Sequence, residues 1–400
     1  MDKKELLKYY FGYNDFRPGQ DKVIDNVILN KDTIGIFPTG FGKSVCFVIP
    51  ALMLDGITIV ITPLISLMHD QVKNLKRKGI NALEINSLLS YDQMNISYQK
   101  ILKNKIKLIF ISGERLLNDK FKFIIKNLKI SLIVIDEAHT LLWGEDFRLA
   151  LKNIPLFYNY IGYKPTILSL TATCTNTTLN KIIKYLNLDN PNIFRVNPDR
   201  KNIFYNIIKT NDKFKTLINI LNRHKNEKII IYCLTIKNVL NLYNTLNKMN
   251  YNITYYHGEL SSEEKKQNQE DFSSINKDII VATNSFGMGI DISNIRYVLC
   301  YDMPGSIEDL TQQLGRAGRD GKYSIGTLFF NLKDIEINKY FIEHINVKNK
   351  EEIKKDRYKK LDSIIKLCLK NKCIHQQINE YFGYKDNNKC KNMCSCCIKK

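Results

Sequence analysis

Runs of apolar, mostly β-branched residues recur along the first two thirds of the chain, separated by longer stretches of helical periodicity. Because these runs lack the polar alternation of a half-exposed strand, they are typical of parallel strands that helices cover on both faces. A first set of strands is predicted at Ile34–Phe37, Ile57–Ile61, Lys107–Ile111, Leu132–Ile135 and Ile167–Leu170. A second set is predicted at Ile229–Tyr232, Ile253–Tyr256, Ile279–Ala282, Tyr297–Cys300 and Thr327–Phe330. The two sets predict two α/β domains, each built on a parallel sheet.

The boundaries between these domains follow from local composition. The segment Asn187–Asn202 is polar, contains two prolines, and is predicted to connect the two domains. After about Lys333 the pattern becomes helical and then rich in cysteine. We therefore predict domains at residues 1–200 and 201–335, followed by a small helical module at residues 336–400.

Composition narrows the class of protein. Hydrophobic residues make up 44% of the chain and charged residues 25%, as in a soluble globular protein. No apolar run reaches the roughly 18 residues of a membrane span. The N-terminus also lacks the apolar core of a secretion signal. We expect a protein that is neither secreted nor inserted in a membrane.

The formal net charge of the chain is +20. One explanation is solubility combined with a compositional bias toward lysine. The other is attraction to a polyanion, because phosphate contacts release condensed counterions. Charge alone leaves nucleic acid and an anionic membrane surface both open as partners.

The first predicted strand leads directly into the glycine-rich sequence PTGFGKS. A strand, a glycine-rich loop and a helix start form a nest of backbone N–H groups that suits phosphate. In this loop Lys43 would neutralise the β- and γ-phosphates of ATP and Ser44 would ligate Mg²⁺. The predicted nucleotide-binding residues of this loop are Thr39, Gly40, Gly42, Lys43 and Ser44. The alternative is an ordinary glycine-rich turn, and Phe37 stands where such loops usually begin with glycine.

A pair of acids in the sequence DEAH follows the predicted strand that ends at Ile135. The carboxyl ends of parallel strands meet at one sheet edge, so these acids should lie near the phosphate loop. Asp136 can hold Mg²⁺ through water, and Glu137 can orient and deprotonate the attacking water. A solvated turn is the alternative, and the upstream phosphate loop makes the catalytic interpretation the stronger one.

Two arginines, Arg316 and Arg319, lie three residues apart in the sequence QQLGRAGRDG, on one face if the segment is helical. Such arginines can stabilise the charge that develops on a transferred phosphoryl group. Coming from the second domain, they would make hydrolysis depend on domain closure. The alternative role is an interdomain salt bridge.

Six of the ten cysteines crowd into the end of the chain. Without a secretion signal, this clustering indicates metal rather than disulfides. Cys373, Cys390, Cys394 and Cys397 have the spacing of a closed tetrahedral Zn²⁺ site, with Cys396 as a bystander. A reduced tail that binds nothing is the alternative.

Taken in order, PTGFGKS, TPLISLMHDQ, DEAH, SLTAT, VATNSFGMGID and QQLGRAGRDG resemble the motifs of superfamily 2 helicases. Three further elements resemble RecQ helicases in particular: FGYNDFRPGQ near the N-terminus, WGEDFR after DEAH, and the terminal cysteines. The resemblance covers almost the whole chain. It implies two RecA-like domains and a zinc module, with ATP, Mg²⁺ and structural Zn²⁺ as cofactors. The implied activity is 3′-to-5′ movement on single-stranded DNA and unwinding of tailed or branched duplexes.

The resemblance also implies roles for individual residues. Arg17 and Gln20 would read the adenine base, and His139 and Asp291 would belong to the nucleotide site. Gln312 would act with the two arginines. The implied DNA-binding residues are Ser66, Gln71, Trp143, Phe147, Arg148 and Thr283. The protein would act inside the cell, in the nucleus, or in the cytoplasm if it is viral or bacterial.

Some features depart from the family pattern. The loop after DEAH is one residue shorter, and Gln313 stands where glutamate is common. The sequence ends soon after Cys397, where RecQ proteins usually continue into a winged helix. An ATPase that binds, anneals or remodels DNA with little unwinding is therefore a second hypothesis, and an RNA helicase is a third.

Overall fold

A computed structural model describes residues 1–62, 65–103, 105–142, 145–274, 276–287, 292–345, 350–384 and 390–398, without the side chains of residues 66, 141–142 and 145–152. The chain forms two compact units, Met1–Pro198 and Asp199–Lys400. None of the described helices combines the length and apolar composition needed to cross a membrane.

The first unit is built on a seven-stranded sheet in the order β3-β4-β2-β5-β6-β1-β7, with every described pair parallel. Its strands are β1 Thr33–Ile36, β2 Ile57–Ile61, β3 Ala82–Ile85, β4 Leu108–Ile111, β5 Ile130–Ile135, β6 Thr166–Thr171 and β7 Asn192–Arg195. Along β2, Ile59 and Ile61 join the core on one face and Val60 joins the core on the other. This burial on both faces explains why the strand is apolar throughout.

Helices cover both faces of this sheet. They are α1 Lys3–Phe11, α2 Gln20–Ile28, α3 Val45–Met53, α4 Ile65–Arg77, α5 Tyr91–Leu102, α6 Asp119–Ile125, α7 Glu145–Ile161 and α8 Asn176–Tyr185. Short 3₁₀ turns occupy Gly113–Leu117 and Ala138–Leu142. The second of these turns carries the end of the DEAH sequence.

The second unit contains a six-stranded parallel sheet in the order β10-β11-β9-β12-β13-β8. Its strands are β8 Ile203–Lys209, β9 Lys228–Tyr232, β10 Ile253–Tyr256, β11 Ile279–Ala282, β12 Ile295–Cys300 and β13 Ser324–Phe330. The helices between them are α9 Lys213–Arg223, α10 Ile236–Lys248, α11 Ser262–Ser273 and α12 Ile307–Leu314. The two parallel sheets confirm the predicted α/β fold class.

The C-terminal helices are part of the second unit. They are α13 Leu332–Glu343, α14 Lys350–Leu369, α15 Ile374–Tyr381 and α16 Ser395–Ile398. Apolar residues of α14 and α15, such as Leu361 and Ile378, share one core with Val298 and Leu328 of the sheet. The cysteine-rich segment also reaches β8, because Tyr205 pairs with Cys394 in a parallel bridge.

Three strands were missed by the prediction from the sequence: β3, β7 and β8. The segment Asn187–Asn202, predicted as a connection, in fact contains β7, which pairs with β1. All three missed strands lie at an edge of their sheet. β7 and β8 are partly exposed, and all three strands contain polar residues, such as Glu84, Arg195 and Asn206, that interrupt the apolar run on which the prediction depended.

Gly56 permits a close backbone contact where the chain enters β2. Its φ is +110°, and an added Cβ would lie 2.5 Å from the carbonyl oxygen of Lys129. That carbonyl also accepts a hydrogen bond of 2.8 Å from the N–H of Ile57. Neither backbone can move without disturbing the start of β2.

Gly56→Ala is expected to lower the free energy of unfolding by about 2–4 kcal/mol, through both steric overlap and backbone strain. Gly79→Ala is the control, because its φ of +78° is also left-handed but nothing lies within 4 Å of an added Cβ. Strain alone should reduce its loss to about 1 kcal/mol. Urea denaturation measures both, and equal losses would contradict the steric argument.

Candidate active site and zinc centre

The phosphate loop runs from Pro38 to Ser44, between the end of β1 and the start of α3. The N–H of Phe37 donates to the carbonyl of Thr171 at 2.9 Å, which continues the pairing of β1 with β6 into the loop. The N–H of Val48 donates to the carbonyl of Ser44 at 2.9 Å, so the helix starts immediately after the loop. The loop therefore ends at the positive end of a helix dipole, as phosphate binding requires.

Arg17 and Gln20 hold this loop from its outer side. The Gln20 amide donates to the carbonyls of Phe41 and Gly42 at 2.9 and 3.1 Å. The Arg17 guanidinium donates to the carbonyl of Gly40 at 2.5 Å and lies 5.6 Å from the Phe41 ring centroid. These contacts shape the loop, and adenine reading by the two residues stays a prediction.

The acid pair lies directly beside the phosphate loop. The Lys43 ammonium donates to Glu137 Oε1 at 2.6 Å, which joins residues 94 positions apart. Glu137 has a left-handed φ of 53°, a strained conformation for a side chain of this size. Its N–H donates to Asp136 Oδ1 at 3.0 Å, and this contact fixes the turn. The predicted proximity of the loop and the acids is thus present.

Gln71 connects helix α4 to the acid pair. Its amide donates to Asp136 Oδ2 at 3.1 Å. The sequence suggested only a DNA contact for Gln71, and its bond to Asp136, which is predicted to act in catalysis, is a finding of the structure. Nothing in the spacing of the two motifs could have indicated this contact, because it depends on how α4 packs.

The last DEAH residue contacts the motif SLTAT. The Thr171 hydroxyl donates to the carbonyl of Thr173 at 3.1 Å, so His139 Nδ1 donates to Thr171 Oγ1 at 2.8 Å. The same nitrogen lies 3.4 Å from Glu137 Oε2. Thr171 was not assigned a role from the sequence, although its position at the end of a predicted strand was a usable signal.

Asp136 carries a poorly compensated negative charge. Burial, and then the neighbouring Glu137, raise the pKa of Asp136 to about 6. A buried carboxylate at the end of a strand and a hydroxyl at a helix start are oxygen donors of the kind that suits Mg²⁺. Asp136 and Ser44 are the residues that would hold the cation. It would neutralise phosphate charge during hydrolysis.

The arginine segment lies in the second unit, after α12. Arg316 and Arg319 lie in successive turns rather than on one helical face, because α12 ends at Leu314. Arg316 is buried and hydrogen-bonds the hydroxyl of Tyr232. Arg200, which the sequence analysis missed, donates to the carbonyl of Gly318 at 2.7 Å and supports the segment.

Gln313, rather than Gln312, makes the buried contacts of α12. Its amide donates to Asn284 Oδ1, and its Oε1 accepts from the Cys300 thiol at 2.9 Å. Gln312 itself is half buried. Thr283, next to Asn284, is half buried and exchanges a hydrogen bond of 2.8 Å with Ser285.

Several predicted residues cannot be placed. Trp143 and Asp291 lie outside the described residues, and so do the side chains of Ser66, Phe147 and Arg148. Their roles in DNA or nucleotide binding stay predictions from the sequence.

The four predicted zinc ligands lie together. The sulfur atoms of Cys373, Cys390, Cys394 and Cys397 are all within 4.8 Å of one another. Two of the separations are 3.4 Å, between Cys390 and Cys394, and 4.0 Å, between Cys394 and Cys373. Tetrahedral thiolates at Zn–S distances of ~2.3 Å are about 3.8 Å apart, so the cluster fits zinc. Zinc in such a site stabilises the fold and has no open position for catalysis.

Backbone contacts hold this cluster against the sheet. Cys373 immediately precedes α15, and the N–H of Tyr205 in β8 donates to the carbonyl of Met393 at 3.0 Å. His375 contacts Asp199 through Nδ1 and the carbonyl of Met393 through Nε2, the latter at 2.9 Å. The cysteine loops are thereby joined to the edge of the second sheet.

Comparisons with known proteins agree with this arrangement. The sequence matches the families described as DEAD/DEAH box helicase over residues 17–182 and helicase conserved C-terminal domain over residues 212–321. Residues 332–398 match the family described as RecQ zinc-binding. The ATP-dependent DNA helicase RecQ of Synechocystis is 32% identical over 79% of this chain and 68% of that protein. The chain belongs to the RecQ helicase family.

Other relatives show how far the likeness extends. The Bacillus subtilis ATP-dependent DNA helicase RecQ is 38% identical over 98% of this chain. The chain spans 66% of that protein, slightly under two thirds of its length. A mimivirus relative with "ATP-dependent RNA helicase" in its name is 36% identical, covering 98% of this chain and 72% of that protein.

The fold is shared more widely. The structure of Saccharomyces cerevisiae Dbp5 bound to RNA and ADP BeF3 has a TM-score of 0.69 and 17% identity. The match covers 90% of this chain and 97% of that one. At this identity it supports the fold of two RecA-like sheets and nothing finer.

The raised pKa of Asp136 has a consequence for stability. An unfolded aspartate has a pKa of ~3.9, so the folded state holds the proton more tightly. The contribution of Asp136 to stability is therefore fully present below about pH 4 and is lost as the pH rises through about 6. Asp136→Asn should be more stable than the wild type at pH 7 by on the order of 1–2 kcal/mol, with little of that gain at pH 4.

Thermal denaturation at both pH values, without added Mg²⁺, measures this effect. Asp320→Asn is a control of opposite sign, because it loses an ion pair of 2.6 Å with Arg296 and should be less stable at pH 7. A gain for Asp136→Asn that is equal at both pH values would rule out the burial of its charge as the cause.

The cysteine cluster predicts a sharp difference between neighbours. Cys390→Ser should reduce bound zinc from about one ion per chain to well below one and lower the melting temperature, because it removes a ligand. Cys396→Ser should leave both unchanged, since Cys396 is outside the four-sulfur cluster. Atomic absorption and thermal melting measure the pair, and equal zinc content in both variants would refute the ligand assignment.

Proposed function

We propose that this chain is an ATP-dependent DNA helicase that moves 3′ to 5′ along single-stranded DNA and separates tailed or branched duplexes. The observation that supports hydrolysis most directly is the contact of Lys43 with Glu137 at 2.6 Å, beside the buried Asp136. Membership of the RecQ family supports DNA as the substrate. The net charge of +20 is consistent with a polyanionic partner.

Nucleotide binding is proposed to release the catalytic base. In the structure Lys43 holds Glu137, and a carboxylate paired with an ammonium is a weak proton acceptor. The negatively charged β- and γ-phosphates of the nucleotide would attract the Lys43 ammonium away from Glu137. Glu137 would then be free to orient the attacking water and take its proton.

Two elements are proposed to couple DNA binding to the nucleotide site. Gln71 belongs to a motif expected on the DNA side and bonds Asp136 directly, so a shift of α4 would move a catalytic acid. Trp143, Phe147 and Arg148 follow DEAH closely in sequence and are proposed to sense single-stranded DNA, Trp143 by stacking on a base. Ser66 and Thr283 are proposed to bind phosphate.

Residues of the second unit are proposed to complete hydrolysis. Arg316 and Arg319 would stabilise charge on the transferred phosphoryl group, with Gln312 and Asp291 assisting at the nucleotide. The support is chemical, since Arg316 is held in a defined position by burial and by Tyr232. A protein with these activities would act inside the cell, wherever the DNA is located.

A strand-displacement assay tests the proposal. The wild type should unwind a 3′-tailed duplex and a forked duplex with ATP, and should leave a 5′-tailed duplex intact. Lys43→Ala and Glu137→Gln should each reduce hydrolysis by at least ~100-fold, because they remove phosphate binding and the base. Circular dichroism should show both variants folded.

Other outcomes identify the alternatives. Hydrolysis that DNA stimulates without any unwinding would favour an annealing or remodelling protein. Stimulation and unwinding much stronger with RNA would favour an RNA helicase. Substantial hydrolysis by Lys43→Ala would contradict the assignment of the site.

A further inference from the structure

Helix α12 links the C-terminal helices to the arginine segment. It begins at the cap residue Ser306, whose hydroxyl accepts from the N–H of Asp309 at 3.0 Å. It ends at Leu314, two residues before Arg316. Eight helical residues span about 12 Å, so a displacement at one end is carried to the other as a rigid body.

Two C-terminal helices, α14 and α15, contact the first turn of α12 through Glu308. The Tyr381 hydroxyl, at the end of α15, donates to Glu308 Oε2 at 2.7 Å. The Lys360 ammonium of α14 lies 3.7 Å from Glu308 Oε1. The two oxygens of one half-buried carboxylate are therefore held by two different helices, and the carboxylate cannot follow either helix alone.

A further contact reinforces this link. On α13 the buried Asn338 amide donates to the carbonyl of Met303, in the loop that precedes α12, at 2.9 Å. Each of the three helices α13, α14 and α15 thus contacts α12 or the loop before it.

The opposite end of α12 adjoins the arginine segment. Gln313 bonds Asn284 and the Cys300 thiol, and these contacts lock the last turn onto the sheet. The cysteine cluster is connected to the same system, because Cys373 caps the start of α15 and Tyr381 is its last residue. A continuous path of bonded elements leads from the four sulfur atoms to the arginines.

We propose that Tyr381 and Lys360 are positioning residues that set the placement of α12, so that the zinc-binding region governs how well Arg316 serves hydrolysis. The inference rests on the proposed ATPase activity. It predicts that the rate of hydrolysis and the binding of ATP respond differently, whereas a loss of folding would reduce both. The rate of the chemical step should depend on these contacts, whereas ATP binding should depend on them much less, because the phosphate loop lies in the first unit.

The test variant is Tyr381→Phe in the full chain, which removes one hydroxyl and keeps the ring in the core. The kcat of DNA-stimulated ATP hydrolysis should fall at least fivefold, while the KM for ATP stays within twofold of the wild type. Zinc content should not change, because the sulfur cluster is not altered, and the melting temperature should fall no more than in the matched control Tyr358→Phe.

Tyr358→Phe is the matched control. It removes the same group, a tyrosine hydroxyl that donates to a carboxylate, here Glu343 at 2.6 Å. That bond joins α14 to α13 and does not involve α12, so kcat should equal that of the wild type. Glu308→Ala should reproduce the loss in kcat, and Glu308→Gln, which keeps an oxygen for Tyr381, should recover most of it.

Each other outcome decides against the inference. A wild-type kcat for both Tyr381→Phe and Glu308→Ala would overturn the positioning role. A fall in kcat with a loss of zinc, or with a loss of melting temperature well beyond that of Tyr358→Phe, would make Tyr381 structural only. If the wild type hydrolyses no ATP, the proposed function fails first, and the wild-type assay alone shows this.

Discussion

Parallel pairing is the constraint on which the rest of this molecule depends. When all strands of a sheet run in one direction, every carboxyl end reaches the same edge, whatever the distance along the chain. In the first sheet β5, β6 and β1 are neighbours, so the segments that follow them meet. Lys43, Glu137 and His139 contact one another or the end of β6 for this reason alone. This arrangement also buries charged groups, and burial raises the pKa of Asp136.

The central strands of both sheets, the phosphate loop and the acid pair of DEAH could be predicted from the sequence. Central strands such as β2 are buried on both faces, and their unbroken apolar runs could be recognised without any partner. The three missed strands are edge strands in which polar residues interrupt the apolar run. The phosphate loop and DEAH are likewise short patterns that can be recognised in the sequence alone. The bond from Gln71 to Asp136 and the support from Arg200 depend on packing between distant segments, which no local pattern contains.

The cysteine-rich region shows the same limit. Its ligand spacing was visible in the sequence, but the spacing gave no sign that α14 and α15 would share a core with the second sheet. Leu361 and Ile378 lie in the same apolar cluster as Val298. A metal site embedded in this way stabilises more than its own loops, since the helices that it organises also close one side of a RecA-like core.

The contact between β8 and the last cysteines also sets an order of events during synthesis. The outward N–H groups of Tyr205 and Ile207 find their acceptors at Met393 and Ser395, nearly two hundred residues later. Until Met393 and Ser395 have been synthesised, these N–H groups of β8 lack their acceptors and are open to other chains. The edge of the second sheet at β8 is therefore exposed to mispairing during the synthesis of the nearly two hundred residues that separate it from its covering segment.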